Sequence, residues 1–368
     1  MSELSPADSD SSPPVHRASA LVQLDRGDNV AVATTNLSPG ESVCLGDSEL
    51  LVGATISPGH KIAITTVPKG ARVIKYGQPI GMATADIAPG QHVHSHNLAD
   101  HHTVSDDLSE LLPPDPPRPL KRTFEGYQRP DGRVGTRNYV AVLSTVNCSA
   151  SVCHKLVQRF DAKRLSRWPN VDGVFAATHT TGCALEFNGI KHQMLGRVLA
   201  GYANHPNVGG CLVVGLGCEQ TTAGYLTQHH GVVDLYAPGG EKLTRDEGIP
   251  MLTMQTEGGT RATLDKAEAM LEQVLDHANR FQRTTADARH LHLAVECGGS
   301  DGYSGLTANP AVGVVSDRIV ACGGTSVISE TTELYGAEHL LIARSRNAEV
   351  AQKLLDRIDW WKQYVAMY

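Results

Sequence analysis

The sequence predicts an α/β protein in two parts: a small, mostly β module at residues 21–103 and, after a linker at 104–122, an open, largely parallel α/β domain over 123–368. Three observations predict it. The first part alternates short β-rich runs with glycine turns. The second alternates apolar strands with amphipathic helices, and a proline-rich stretch, LLPPDPPRPLKR, separates the two. Residues 1–20 carry too little apolar side chain to pack and read as a disordered tail.

The module's runs are VAVATT, LLVGATI, KIAITTV, ARVIKYG, PIGMATADI and HVHSHN. Turn signals at Pro39-Gly40, Pro58-Gly59, Lys69-Gly70 and Pro89-Gly90 punctuate them. No internal repeat is evident. In the linker, prolines remove amide donors and fix φ, which favours extended chain. Beyond it, strands are expected at 139–146, 171–179, 211–217, 292–297 and 325–330. Helical stretches such as SVCHKLVQRF, TLDKAEAMLEQVLDHANRF and VAQKLLDRIDWWKQYV lie between and after them. Continuous apolar strands alternating with helices are what a parallel sheet covered on both faces requires. Trp360 and Trp361 are expected to pack the last helix against the core or a partner subunit, so a homo-oligomer stays open.

Bulk properties narrow the function. Hydrophobic residues make up 41% and charged residues 19%, an ordinary globular balance. No apolar run approaches the roughly 18–20 residues of a membrane span, so no membrane partner is expected. A formal charge of −7 argues against a nucleic-acid backbone as partner. The N-terminus has neither the basic start nor the apolar core of a secretory leader. Eight scattered cysteines without a leader are expected to be free thiols in the cytoplasm. There is no Walker sequence, and Gly298–Gly302 lacks the dinucleotide form.

Chemistry gathers at the carboxyl ends of the expected strands. The first ends in Asn147-Cys148 and the second in His179-Thr180-Thr181-Gly182-Cys183. The third ends in Gly217-Cys218-Glu219, the fourth in Glu296-Cys297-Gly298-Gly299-Ser300-Asp301 and the fifth in Glu330. Ligands of open α/β sheets bind beyond those ends, so five ends bearing thiol, carboxylate or imidazole groups would converge on a site. A lone cysteine after an apolar run is more often a small buried hydrophobe. Cys44, Cys153, Cys211 and Cys322 take that reading. In the module, alternation over Gln91–Asn97 places His92, His94 and His96 on one face of a strand, where neutral imidazoles can share a metal. A plain polar strand face is the competing reading. His60, in Gly59-His60-Lys61 after a turn, is a candidate ligand or base against the blander reading of a solvated loop histidine.

Phe124-Glu125-Gly126-Tyr127, followed by Arg129-Pro130-Asp131-Gly132-Arg133-Val134-Gly135-Thr136-Arg137-Asn138, resembles the entry to the catalytic region of altronate/galactarate dehydratases. The segments His179–Cys183, Gly215–Glu219, Glu296–Asp301 and Thr307-Ala308-Asn309-Pro310-Ala311 continue the likeness. Asp28-Asn29-Val30-Ala31, Gly59-His60-Lys61 and Ile74-Lys75-Tyr76-Gly77 are similar to the SAF-type module that begins these enzymes. The histidine cluster looks more like the altronate branch. The resemblance implies a hydro-lyase that dehydrates a sugar acid, D-altronate to 2-dehydro-3-deoxy-D-gluconate, with galactarate dehydratase and sulfolactate sulfo-lyase as alternatives. Family members usually continue past this chain's last residue, so an inactive fragment or subunit is a further alternative.

The resemblance implies Fe2+ or another divalent metal such as Mn2+, with an iron–sulfur cluster on the cysteines as the alternative. Metal ligands are expected among His92, His94, His96, Cys218, Glu219 and Cys297. His60, His179, Cys183, Ser300 and Asp301 are the expected catalytic group. Lys61, Arg137, Asn138 and Asn309 are expected on the substrate.

Overall fold

The computed structural model describes residues 20–99, 115–230, 250–299 and 302–367. The expected tail and most of the linker lie outside these. The chain falls into two compact units. One joins the described residues up to 117 with 294–317 and those from 326 on; the other joins 118–293 with 318–325.

In the first unit the β module is built from nine short strands. They are β1 (Leu21–Val22), β2 (Val30–Ala33), β3 (Ser42–Leu45), β4 (Ser48–Leu51), β5 (Lys61–Ala63), β6 (Arg72–Lys75), β7 (Gln78–Ala83), β8 (His92–Val93) and β9 (Leu98–Ala99). They form a sheet β1-β2-β5-β8, a hairpin β3-β4 and a sheet β6-β7-β9. Alternation along a strand sends side chains to opposite faces. Ala31, Ala33 and Ile62 accordingly enter one small core with Leu21 and Val43, while Val30 and Ala63 enter another with Val73 and Val93.

The structure corrects the expectation of no repeat. Four segments share the pattern of an apolar residue three positions before a turn glycine: Leu37–Gly40, Ile56–Gly59, Val67–Gly70 and Ile87–Gly90. The four apolar residues are almost wholly buried and bridge in pairs, Leu37 with Ile56 and Val67 with Ile87. The four glycines have φ of 81°, 83°, 77° and 85°, in the left-handed region that favours glycine. Each unit is too short and too varied between its fixed points for the period to stand out in the letters.

The second unit contains β10 (Thr123–Gln128), β11 (Val134–Gly135), β12 (Tyr139–Ser144), β13 (Gly173–Ala177), β14 (Val208–Gly215), β15 (Met251–Thr253) and β16 (Arg283–Asp287). Its main helices are α1 (Asn147–Gln158), α2 (Ala162–Leu165), α3 (Ile190–Ala203), α4 (Ala223–His230) and α5 (Thr260–Ala278). A four-stranded parallel sheet runs β13-β12-β14-β15. Val140, Val142, Leu212 and Val214 face α1 and α5, whereas Ala141, Leu143, Cys211 and Val213 face α3 and α4. The sheet is therefore buried on both sides, as the apolar runs predict.

The expectation of five converging strand ends is corrected in part. Only the first three share this sheet, and its fourth member is β15. The other two, β17 (His292–Val295) and β18 (Thr325–Ile328), pair as a separate ribbon. The remaining helices are α6 (Ala308–Ala321), α7 (Glu338–Ile342) and α8 (Ala348–Ala366). In α8, Trp360 is 55% exposed and stacks on Tyr364, so it faces outward rather than into the core.

Candidate active site

In the first unit, the turn at Gly59 delivers His60 to the start of β5. Gly59 N donates to Ala33 O at 2.8 Å, and Ala33 N donates to His60 O at 2.9 Å. β8 pairs antiparallel with β5, Ile62 opposite His92. His60 Nδ1 and His92 Nε2 then stand 3.0 Å apart.

His94 and His96 join them by a route the alternation did not foresee. β8 ends at Val93, and residues 94–97 form a turn instead of a strand face. Buried Asn97 shapes it: Oδ1 accepts from His94 N at 3.0 Å, and Nδ2 donates to His92 O at 3.0 Å. The rings still gather, with centroids 5.1 Å apart for His60–His92, 5.2 Å for His60–His94, 5.4 Å for His92–His94 and 5.5 Å for His92–His96. Burial, helped by the three neighbouring imidazoles and Lys61, pushes His92 down to about 4, so its ring is neutral at neutral pH. Among the described residues no three His, Cys, Asp or Glu side chains are spaced to hold an ion.

The glycine-rich segment after β17 belongs to the same unit. A methyl on Gly59 would lie 3.9 Å from Gly302 Cα, and one on Gly305 would lie 3.5 Å from Tyr76 Oη. Ser300 and Asp301 lie outside the described residues. Cys297 is exposed, and its amide donates to Glu330 Oε2 at 3.2 Å. Asn309 is exposed in the first turn of α6, its amide donating to Ser304 O at 2.8 Å.

In the second unit the chain leaves β12 for β13 and then returns across β12 to β14, so the crevice between β12 and β14 is the switch point where open sheets bind ligands. Exposed Cys148, Cys183 and Cys218 follow β12, β13 and β14. Asn147 N donates to Thr181 O at 2.8 Å, which ties two of the loops together.

Two expected residues there are already engaged. His179 Nε2 meets Ser144 O at 3.0 Å, while Nδ1 accepts from Thr181 N at 3.2 Å. With both nitrogens used and burial lowering its pKa against the Ser144 bond, His179 orders the loop and has no free lone pair for a substrate proton. Buried Glu219 accepts from Thr145 Oγ1 at 2.8 Å, Leu216 N at 3.1 Å and Gly217 N at 2.7 Å. Burial raises its pKa, but these donors outweigh it and the net shift is downward. Glu219 is an anchored carboxylate that shapes the β14 loop.

Arg137 and Asn138, expected on the substrate, lie away from the strand-end cysteines. Both precede β12 and so lie at the amino edge of the parallel sheet, opposite the switch-point crevice. Asn138 is wholly buried, donating to Asn170 O at 2.7 Å and Ala278 O at 2.8 Å. Arg137 stands 3.7 Å from Asp172.

Three domain models of one family match the chain in order. They are the altronate/galactarate dehydratase SAF domain at 19–101, the D-galactarate dehydratase/altronate hydrolase second domain at 126–279 and the D-galactarate/altronate dehydratase C-terminal domain at 288–368. Altronate dehydratase of Escherichia coli (strain K12) is 35% identical over 352 residues, 93% of this chain and 66% of the relative. Altronate dehydratase of Bacillus subtilis (strain 168) is 33% identical over 94% of the chain and 66% of its own length. Galactarate dehydratase (L-threo-forming) of Escherichia coli (strain K12) is 34% identical over the same shares. The chain spans 66% of the length of these curated relatives.

Proposed function

The chain belongs to the altronate/galactarate dehydratase family, and we propose from this that it is a sugar-acid hydro-lyase that converts D-altronate to 2-dehydro-3-deoxy-D-gluconate and water, galactarate being the second substrate to test. The observation that carries the reading is the four-imidazole cluster of the first unit, with Lys61 beside it and the glycine-rich segment close by. Elimination from a 2,3-dihydroxy acid asks for a base at the C2 proton, positive charge at the carboxylate, and a proton for the departing C3 oxygen.

His60 is the proposed base. His92 is held unprotonated by burial and faces His60 Nδ1, so the pair can hold one proton between the two nitrogens. Lys61 supplies positive charge to the substrate carboxylate. The enol left by loss of water ketonises to the 2-keto acid. His92, His94 and His96 are the residues proposed to hold a divalent ion, Fe2+ or Mn2+. Their donor chemistry fits such an ion, but among the described residues no three such side chains are spaced to hold one. When bound, such an ion supplies Lewis-acid stabilisation of charge at the carboxylate and 2-hydroxyl.

The test is a 2-keto-acid assay on anaerobically purified chain with D-altronate, D-galactarate and sulfolactate, with and without ferrous ion. Iron-dependent turnover of D-altronate is the expected result, and His60→Gln should abolish it while His179→Gln leaves a residual rate. No turnover of either sugar acid by folded, iron-supplemented protein overturns the reading for this chain.

A further inference from the structure

The β6–β7 hairpin of the first unit holds a group of side chains that the reaction above leaves unused. Its two-residue turn is Tyr76-Gly77, with φ of 60° and 68°. Positive φ at both central positions is the type I′ arrangement, where asparagine or glycine is favoured and an aromatic residue is costly. Tyrosine nevertheless occupies the first position and is 37% exposed. Gly305, from the glycine-rich segment, approaches its hydroxyl. Non-glycine residues kept at positive φ concentrate where a side chain must be aimed.

Beside Tyr76 stands Lys75, its ammonium 4.9 Å from the tyrosine ring centre. Lys75 and Lys61 are both half-buried, and neither is ion-paired among the described residues. Burial lowers the pKa of each, and the charge of Lys61 lowers Lys75 further while Asp28 acts the other way. Asp28 is the nearby carboxylate, and its oxygens are spent within the fold. Oδ2 accepts from Asp25 N at 3.0 Å and Oδ1 from Gly77 N at 2.7 Å. Two neighbouring ammonium groups with one engaged carboxylate leave an unbalanced positive charge in a partly desolvated place. Anions are drawn to such a place.

We propose that Lys75 and Tyr76, together with Lys61, form a carboxylate subsite of the β module, in which the two ammonium groups hold an end of a sugar acid and the Tyr76 hydroxyl donates to it. The proposal rests on the sugar-acid reading and assigns Lys75 and Tyr76 as substrate-positioning residues. It also explains the turn: the hairpin tolerates an unfavourable residue because its phenol is needed beside Gly305.

The experiment is calorimetric titration of the full chain with D-galactarate, a dicarboxylate, and with galactitol, the same carbon skeleton without carboxylates. Wild type should bind galactarate and not galactitol. Lys75→Met should weaken galactarate about tenfold or more, the loss of roughly one charge-assisted contact, and Lys75→Arg should recover most of it. Tyr76→Gly separates positioning from folding. Glycine suits the turn, so the melting temperature should hold or rise while galactarate binding falls. Unchanged binding in both Lys75→Met and Tyr76→Gly, or equal binding of galactitol by wild type, overturns the subsite. Turnover measured on the same preparations keeps the two readings apart. Lys75-dependent binding without any 2-keto acid leaves the subsite standing and removes the dehydratase. Turnover with Lys75-independent binding does the reverse.

Discussion

At the scale of single residues, the second unit keeps a buried histidine whose cost shows as a pH effect. His277 is 3% exposed and lies edge-on to Phe281. Burial, with Arg280 and Arg129 nearby, pushes it down to about 4 from 6.5. The unfolded chain therefore binds a proton on this residue between pH 6.5 and 4 that the folded chain refuses. Its contribution to stability is complete above pH 6.5 and is lost as the pH falls towards 4, up to about 2–3 kcal/mol. Urea unfolding at a series of pH values should show that slope, and His277→Leu should flatten it. A wild-type slope identical to that of the variant would mean His277 is hydrated in solution. The amino edge of the sheet also shows what single letters conceal. Asn138 sits within a segment rich in family likeness, and its chemistry suits a substrate. A residue that precedes a parallel strand nevertheless lies at the opposite edge from one that follows it, and the two carbonyls it serves, Asn170 and Ala278, come from distant parts of the chain. Its position before the strand was legible; its partners were not.

At the scale of elements, the β module shows how one motif can carry unequal loads. All four turn glycines need positive φ, and the Pro-Gly and Lys-Gly signals marked every one of them. Their surroundings differ. A methyl on Gly70 meets nothing within 4 Å, whereas one on Gly90 would run into the backbone carbonyl of Leu51. Gly70→Ala should therefore cost only the left-handed penalty, about 1–2 kcal/mol. Gly90→Ala adds a clash with main chain that cannot rotate away, and should cost more than about 3 kcal/mol. Thermal melts of the two variants check the order, and equal losses would show that the β4 strand yields easily. The same contrast explains the histidines. Alternation foresaw that His92, His94 and His96 would gather, but the fold achieves it with an Asn97-centred turn. Side-chain capping of a turn leaves no periodic trace in a sequence, so the cluster was legible and its scaffold was not.

At the scale of the whole molecule, the described residues gather imidazoles in one unit and thiols in the other, and thiol accessibility tells the two groups apart. The first has four imidazoles. The second has Cys148, Cys183 and Cys218 at the ends of three neighbouring parallel strands, all exposed. The sequence read residues 123–368 as one region, because apolar periodicity reports that a face is buried and not which part of the chain covers it. The fold instead groups 294–317 and the residues from 326 on with the β module. Cys44, Cys148, Cys183, Cys218 and Cys297 are exposed and Cys322 is half-buried, while Cys153 and Cys211 are buried and pushed up to about 12 by that burial. Because the thiolate is the reactive form, Ellman's reagent should titrate five thiols readily, Cys322 more slowly, and Cys153 and Cys211 only after unfolding. Ferrous ion added under anaerobic conditions should leave that count unchanged if imidazoles hold it, since thiols then stay free. A fall confined to Cys148, Cys183 and Cys218, identified by mass spectrometry of the labelled peptides, would move the metal to the switch-point crevice as thiolate-bound iron. That result would also transfer the base from His60, because the chemistry would then belong to the parallel sheet.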